Sequence, residues 1–360
     1  MPLDFLQTIA QTPAPTFDEG ERALLISHLW ERFCPDVYTD SVGNVIARLG
    51  PMSGKPLVIS AHLDTVFSRE THLNVRKETR RWIGPGLGDN SSSLAVLTAM
   101  LRDKRLQSLK YPVWAVANVC EEGLGDLRGM KHFLAEHGKN TSALLALDGY
   151  LGTVVARPVG VRRYRVSFET SGGHSWGESK PSAIHAASQA IVALYNIPLP
   201  KYPRTTLNVG VIEGGTSVNT IAARTKFLLD TRSLEVSQLD RLETQVNSTL
   251  RATGASLGVR CNVERVGDRP TGSLNNTQLL EWTHQAARDL GLPLKEVSSS
   301  TDANAAVPHG IPALTLGVYT GGHAHRLDEW VDPRSLLQGY RLLDQWITAY
   351  SQGNDASTAE

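Results

Sequence analysis

Apolar and polar residues alternate along the first part of the chain in two rhythms. KPLVISAHLDTV (residues 55–66) and PVWAVANVC (residues 112–120) are compact apolar runs, the pattern of strands covered on both faces. GNVIARLG and SALLALDGYLG read as further strands. Between them, FDEGERALLISHLWERF predicts an amphipathic helix with Leu24, Leu25, His28 and Leu29 along one face. GLGDNSSSLAVLTAMLRDKRL turns at glycines and enters a helix with Leu94, Leu97 and Leu101 at helical spacing. Strands alternating with helices predict an open α/β fold, a largely parallel sheet flanked by helices.

The rhythm changes near residue 160. VRRYRVSFET alternates strictly, with Tyr164, Val166 and Phe168 on one face and Arg163, Arg165, Ser167 and Glu169 on the other. That is a strand with one wet face. A helix from Pro181 to Asn196 follows, then the strands TTLNVGVIEGG and TKFLLDTRS. Ser237 with Asp240 resembles a capping box opening a second helix, striped by Leu239, Leu242, Val246 and Leu250 and ended by Gly254. GVRCNVERVG closes the segment as a strand. The order β-α-β-β-α-β predicts an α+β, ferredoxin-like domain. After Pro270 the first rhythm returns: a helix around Asn276 to Leu290, the strand IPALTLGVY, and a helix opened by Asp332 and Pro333 along Leu336, Tyr340, Leu343 and Ile347. The polar SQGNDASTAE reads as a disordered tail. The predicted organisation is one α/β domain, residues 1–159 and 270–350, interrupted by an inserted domain, residues 160–269, with a tail at 351–360.

Composition narrows the function classes. A chain of 360 residues exceeds one ordinary core. Lysine plus arginine and aspartate plus glutamate both number 36, which argues against a nucleic-acid or anionic-membrane binder. No apolar run is long enough for a membrane span. The opening MPLDFLQTIAQTPAP lacks the pattern of a signal peptide. Cys34, Cys120 and Cys261 are scattered and odd in number, so a reducing, cytoplasmic setting is expected.

The chemistry gathers where the apolar strands end. One strand ends in His62 and Asp64, another in Glu121 and Glu122, a third in Asp148. IPALTLGVY is followed by His323 and His325, and Asp89 lies in a glycine-rich turn entering a helix. Ligands of open α/β sheets collect at the carboxyl ends of strands. So many carboxylates at one edge need a cation. Imidazole and carboxylate without cysteine suit zinc or a similar ion. Asp89 can bridge two metals, with His62 and Asp148 on one and Glu122 and His325 on the other. Glu121 then remains as general base beside a metal-bridging water. Each fragment alone has a plainer reading as a surface pair, a turn or a helix start. The joint placement of five candidate ligands carries the inference.

With these residues, the chain resembles the co-catalytic zinc hydrolases that include tripeptidase T, bacterial glutamate carboxypeptidase, aminoacylase, acetylornithine deacetylase and succinyl-diaminopimelate desuccinylase. The motifs are SAHLDTV, GLGDN, CEEGLGDLRG, LALDG, SGGHSW, GGTSVNTIA, LLDTR, STDANAAVPHGIPALTLG and HRLDEWV. The resemblance implies a zinc-exopeptidase-like fold in which His62, Asp89, Glu122, Asp148 and His325 are metal ligands. It implies that Asp64 orients the first histidine and that Glu121 is the general base. His325 matches better than His323 because Glu329 follows it by four positions. The peptide bond after Asp89 is expected to be cis.

The inserted domain resembles the family's lid, which also dimerises. His174 matches a histidine that stabilises the oxyanion in the partner subunit's site, and Asn219 and Arg232 match residues that bind the substrate backbone and carboxylate. NSSSLA after Asp89 departs from relatives that have a lysine or glycine nearby. STDANAA resembles the family's loop near the second metal, where Thr301 and Asp302 either touch substrate or cap structure; they are left out of the catalytic assignment.

The expected protein is a cytoplasmic two-zinc hydrolase, with cobalt or manganese as alternative metals. It is a homodimer through the lid and acts as an aminopeptidase on short peptides. An N-acyl-amino-acid amidohydrolase is the alternative, and a non-catalytic peptide-binding relative a remoter one. Neither nucleic acid nor membrane is expected as a partner.

Overall fold

The structure is a computed structural model that describes residues 1–357. The chain forms two units, Met1–Pro158 with Ser273–Glu360, and Val159–Gly272.

Along the chain the first unit opens with α1 (Leu3–Gln11), α2 (Gly20–Glu31), β1 (Val37–Thr39), β2 (Val45–Leu49) and β3 (Leu57–His62). Next come α3 (Ser91–Arg102), β4 (Val113–Asn118), α4 (Arg128–His137), β5 (Ala143–Leu147) and β6 (Thr153–Pro158). The second unit holds β7 (Gly160–Glu169), α5 (Ala183–Tyr195), β8 (Thr205–Gly214), β9 (Arg224–Ser233), α6 (Val236–Ser256) and β10 (Arg260–Arg269). The chain then returns with α7 (Thr277–Asp289), β11 (Lys295–Ser299), β12 (Ala313–Leu316) and α8 (Ser335–Ser357).

The first unit is built on an eight-stranded sheet in the order β1-β2-β4-β3-β5-β12-β6-β11. Its centre, β4-β3-β5-β12, is parallel throughout, and β2 and β6 join it antiparallel. Every residue of β3 and β5 is buried, because helices cover both faces and the backbone bonds are satisfied within the sheet. Helix α3 is buried from Ser91 to Leu101, packed against the sheet, α1 and α8. A second sheet in this unit joins four two-residue strands in the order Gly321–Gly322, Trp330–Val331, Trp82–Ile83 and Arg76–Lys77.

The second unit has a four-stranded antiparallel sheet in the order β8-β9-β7-β10, the arrangement of a ferredoxin-like α+β fold. The predicted faces of β7 hold: Tyr164, Val166 and Phe168 are buried with Ala186, Ala190, Leu242, Val246 and Leu250 of α5 and α6.

Several local expectations need correction. Helix α2 buries Arg22, Ala23, Ile26 and Trp30, not the Leu24 side. Trp30 fills the core because its indole N–H reaches Thr98 Oγ1 at 3.0 Å, while Leu24 stays exposed. Helix α6 starts after Glu235 without a side-chain cap and runs to Ser256. The turn that ends it is at Gly258, whose φ of +63° favours glycine, and Gly254 lies inside the helix because β10 packs closely against it. The final helix passes residue 351 and continues to Ser357. Ser351 Oγ donates to the Ile347 carbonyl at 2.9 Å, and Gly353 abuts the Trp282 ring, so the polar segment has partners. Residues 358–360 of the expected tail lie outside the described residues.

Candidate metal centre

His62 is the last residue of β3, and Asp64 follows where the chain leaves the sheet. Both are buried. His62 Nδ1 lies 3.0 Å from the Asp64 carbonyl oxygen, which can only accept. In the neutral ring the proton therefore sits on Nδ1 and leaves the Nε2 lone pair available. Nε2 is 3.1 Å from Asp89 Oδ1, yet neither atom has a hydrogen-bond partner of acceptable angle, and both are buried. Buried polar atoms are rarely left in that state. A cation between them would satisfy both.

Asp89 faces a second imidazole with its other oxygen. His325 Nε2 is 3.1 Å from Asp89 Oδ2 and 3.0 Å from Glu122 Oε1. Potential ligand atoms of His62, Asp89 and Asp148 lie within 4.8 Å of one another, as do those of Asp89, Glu122 and His325. The two groups share only Asp89. A third group, His62, Glu121 and Glu122, places the remaining glutamate beside them. The structure thus brings together His62, Asp89, Glu121, Glu122, Asp148 and His325 from the ends of β3, β4 and β5, the start of α3 and the loop before Trp330.

Three buried carboxylates hold this arrangement. Asp64 accepts the backbone N–H groups of Glu121 (2.8 Å) and Glu122 (2.9 Å), and the Thr16 hydroxyl (2.9 Å), while also facing His62. It therefore fixes the adjacent glutamates as well as the histidine. Glu329 accepts from the backbone N–H of Gly86 (2.8 Å), Gly88 (3.0 Å) and Asp89 (2.8 Å), cradling the turn that presents Asp89. A Cβ on Gly88 would lie 2.6 Å from Glu329 Oε1 and from the Tyr319 ring, so only glycine allows this approach. Glu19 accepts from Phe17 and Cys120 N–H, each at 3.0 Å, and supports the loop before Glu121. The serines after Asp89 tie the turn down: Ser91 Oγ donates to the Gly86 carbonyl at 2.6 Å and Ser92 Oγ to Leu87 at 2.9 Å. The Asp89–Asn90 peptide is cis.

The protein's own charges in this centre favour protonation of its carboxylates. Burial, then the Asp89 charge, pushes Asp148 well above the usual carboxylate range. Burial also raises Glu122 despite its bond to His325. Glu329 is pushed up to about 8 by burial and by Asp89, and Asp302 to about 7 by burial and Glu121. Burial disfavours charge on Asp89 too, but His325 and His62 outweigh it and hold that carboxylate low. His325 is raised to about 11 by Asp89 and Glu122. Beneath the site, Arg22 is a buried guanidinium donating to the Thr12 and Leu63 carbonyls. Burial lowers it to about 10 against the pull of Asp64.

His174, Asn219 and Arg232 belong to the second unit, Thr301 and Asp302 to the first. His174 is exposed on the short strand Gly173–His174, paired with Thr220–Ile221. The Trp176 N–H donates to His174 Nδ1 at 3.2 Å, so in the neutral ring Nε2 carries the proton. Asn219 is exposed in the adjoining turn; its carbonyl accepts from Ser175 N–H at 3.1 Å and its Oδ1 from Ser217 Oγ at 2.9 Å. The Arg232 guanidinium binds Asp230 on its own strand at 2.7 Å and 3.3 Å. Thr301 caps the short helix Asp302–His309 through a reciprocal pair with Asn304. Asp302 is buried and accepts from Asn118 Nδ2 at 2.8 Å. The structural parts played by Glu19, Arg22 and Asn118 were not visible in the sequence, where nothing distinguishes them from ordinary polar residues.

A histidine–carboxylate cluster at the carboxyl edge of a largely parallel sheet, with unpartnered buried ligand atoms, is a candidate metal site in an α/β fold. The chain belongs to peptidase family M20/M25/M40, whose model matches residues 58–349. Acetylornithine deacetylase of Edwardsiella ictaluri is 24% identical over 328 residues, covering 86% of this chain and 84% of that one. A tripeptidase of Staphylococcus aureus superposes with a TM-score of 0.78 at 21% identity, covering 98% of each chain. The YXEP protein of Bacillus subtilis, a dinuclear metal binding peptidase of the M20 family, superposes with a TM-score of 0.66 at 18% identity, covering 97% of this chain and 98% of that one. The chain is a hydrolytic enzyme with a candidate metal site.

Proposed function

We propose that the protein is a two-metal exopeptidase that releases the amino-terminal residue of short peptides. One observation carries the two-metal reading: the two oxygens of Asp89 face different imidazoles, Oδ1 toward His62 Nε2 and Oδ2 toward His325 Nε2, each at 3.1 Å. His62 and Asp148 would hold one ion, Glu122 and His325 the other, and Asp89 both. The donor set of two imidazoles and three carboxylates suits zinc, with cobalt or manganese as alternatives. When bound, the ions would polarise the substrate carbonyl and make water acidic enough to attack near neutral pH.

This chain's own residues supply the rest. Glu121 is held by its backbone bond to Asp64 beside the ligand cluster. It takes the proton of the attacking water and passes it to the departing nitrogen, so one carboxylate serves as base and then as acid. Asp64 keeps His62 Nδ1 protonated and both glutamates in place. In the second unit, His174 with its proton on Nε2 is assigned the oxyanion, and Asn219 the substrate backbone. Arg232 is assigned a substrate carboxylate, which would replace Asp230 in its fork.

A homodimer through this unit is supported by the open edge strand β8, which exposes Val211 and Ile212, and by exposed Val192 and Tyr195 on α5. Free Cys34, Cys120 and Cys261 fit the cytoplasm, and no helix among the described residues is long and apolar enough to cross a membrane.

The alternative, an N-acyl-amino-acid amidohydrolase, is favoured by the similarity to acetylornithine deacetylase. It would use the same ions and the same base. Parallel assay of di- and tripeptides and their N-acetylated forms separates the two. An exopeptidase turns over the free amines; turnover of blocked substrates alone contradicts the peptidase assignment.

A further inference from the structure

Four basic side chains occupy one β-hairpin that leads by chain into the candidate metal centre. Arg76, Lys77, Arg80 and Arg81 are all exposed on the hairpin formed by Arg76–Lys77 and Trp82–Ile83. This hairpin is the outer edge of the small four-stranded sheet. Two connections tie it to the ligands. Its second strand runs through the glycine-rich turn directly into Asp89. The same strand pairs with Trp330–Val331, which follows the loop carrying His325 and Glu329. Gly84 N–H donates to the Glu329 carbonyl at 2.9 Å, joining hairpin and ligand loop at their base.

The positive charge of this hairpin is not neutralised locally. Arg76 pairs with Glu78 at 3.2 Å, but among the described residues Lys77, Arg80 and Arg81 have no carboxylate at ion-pair distance. Neighbouring acids have closer partners: Asp332 pairs with Arg334 at 2.7 Å and feels the Arg80 charge only at longer range, and Asp328 pairs with Arg326 and His323, each at 2.9 Å. Lys77 lies over the Trp82 ring and Arg81 over the Trp330 ring, each 4.3 Å from the centroid. Cation–π contacts of this kind hold the cations in place without cancelling their charge. In a chain with 36 basic and 36 acidic residues, three unpaired cations on one hairpin are a local excess.

The centre beside them is rich in carboxylates, which repel an anionic substrate. A cationic hairpin joined to the ligand loops offsets that repulsion and raises the local concentration of anions. We propose that this hairpin is an anion-recognition element, so that the substrates are short acidic peptides or N-acyl derivatives of acidic amino acids. The carboxylate it captures is additional to the amide being cleaved. The inference rests on the amide-hydrolase reading of the centre. Three cations suit one or two carboxylates rather than an extended polyanion, which calls for a longer basic stripe.

The test compares metal-loaded wild type with the triple reversal Lys77→Glu, Arg80→Glu, Arg81→Glu on matched pairs: Ala-Ala-Ala against Ala-Ala-Glu, and N-acetyl-alanine against N-acetyl-glutamate. The wild type is expected to favour the acidic member. The reversal should lower the acidic-to-neutral ratio of kcat/KM by about tenfold, the low end of the range for electrostatic steering. Added salt should lower that ratio in the wild type and leave it flat or raise it in the reversal. An unchanged ratio in the reversal overturns the proposal. Calorimetric titration of the same compounds into Glu121→Gln protein, with and without the reversal, reads binding without turnover. If no compound is hydrolysed by wild type yet acidic binding depends on the hairpin, the hydrolase reading fails and the anion site stands. Binding indifferent to the hairpin overturns the anion site.

Discussion

Glu329 Oε1 accepts the backbone N–H of Asp89 at 2.8 Å across 240 residues of chain. With the Gly86 and Gly88 bonds it fixes the turn from which Asp89 faces both imidazoles. Glu329→Gln keeps the volume but replaces one acceptor by an amide that must point N–H toward N–H. Metal affinity should fall by roughly 10- to 100-fold, the usual cost of losing an outer partner of a ligand. Competition against a chromophoric chelator measures it. Unchanged affinity would show that the turn holds its shape without this carboxylate.

Glu121 and Glu122 are adjacent and both bound through their N–H groups to Asp64, yet their assigned tasks differ. Glu121→Gln should lose about 10²- to 10⁴-fold in kcat, the range for a general acid–base group, with metal content intact. Glu122→Gln should lose metal first. Metal analysis of both variants beside their rates checks the assignment, and the reverse pattern would exchange the two roles.

The metal-free protein should lose stability as pH rises from about 5 to 8. Asp148, Glu122, Asp302, Glu329 and His325 all have folded-state pKa values above their ordinary ones. A raised value means that the folded chain binds more protons than the unfolded chain, so stability present at low pH is lost as pH climbs toward the folded pKa. Added divalent ions should expel those protons and flatten the profile. Thermal melts against pH, with and without metal, test the slope. Calorimetry in buffers of different ionisation enthalpy counts the protons released. A metal-free melting temperature that rises over this interval contradicts the charge balance described.

Ile212 is exposed on β8, the open edge of the second unit's sheet. Ile212→Lys should weaken the proposed dimer, since a lysine on an edge strand discourages pairing. Light scattering reads the mass, and the assigned oxyanion role of His174 in the partner's site predicts that activity falls with the dimer. A wild-type monomer with full activity removes that role.

The sequence reached the fold and the cluster of candidate ligands for a physical reason. Strands such as Leu57–His62 are buried on both faces and carry no ionisable residue until they end, so His62 and Asp148 were conspicuous. The inserted unit was legible because its first strand alternates, with Tyr164, Val166 and Phe168 on the buried face. Less legible were residues whose partners lie far along the chain. The α2 stripe was misread because buried Arg22 looks like a surface arginine until the Thr12 and Leu63 carbonyls are placed beside it. Strands β6 and β11 were missed because Arg157 and Glu296 obscure their pattern. Glu329 was noticed only for its spacing from His325; its hold on the Asp89 turn required coordinates.

The central claim is that His62, Asp89, Glu122, Asp148 and His325 together hold two ions needed for amide cleavage. Metal content per chain, measured on the same sample as hydrolysis of a small peptide panel before and after chelation, tests it most directly. The account predicts two ions per chain, loss of turnover on their removal and recovery on their return. Full turnover by a chain stripped of metal would contradict it.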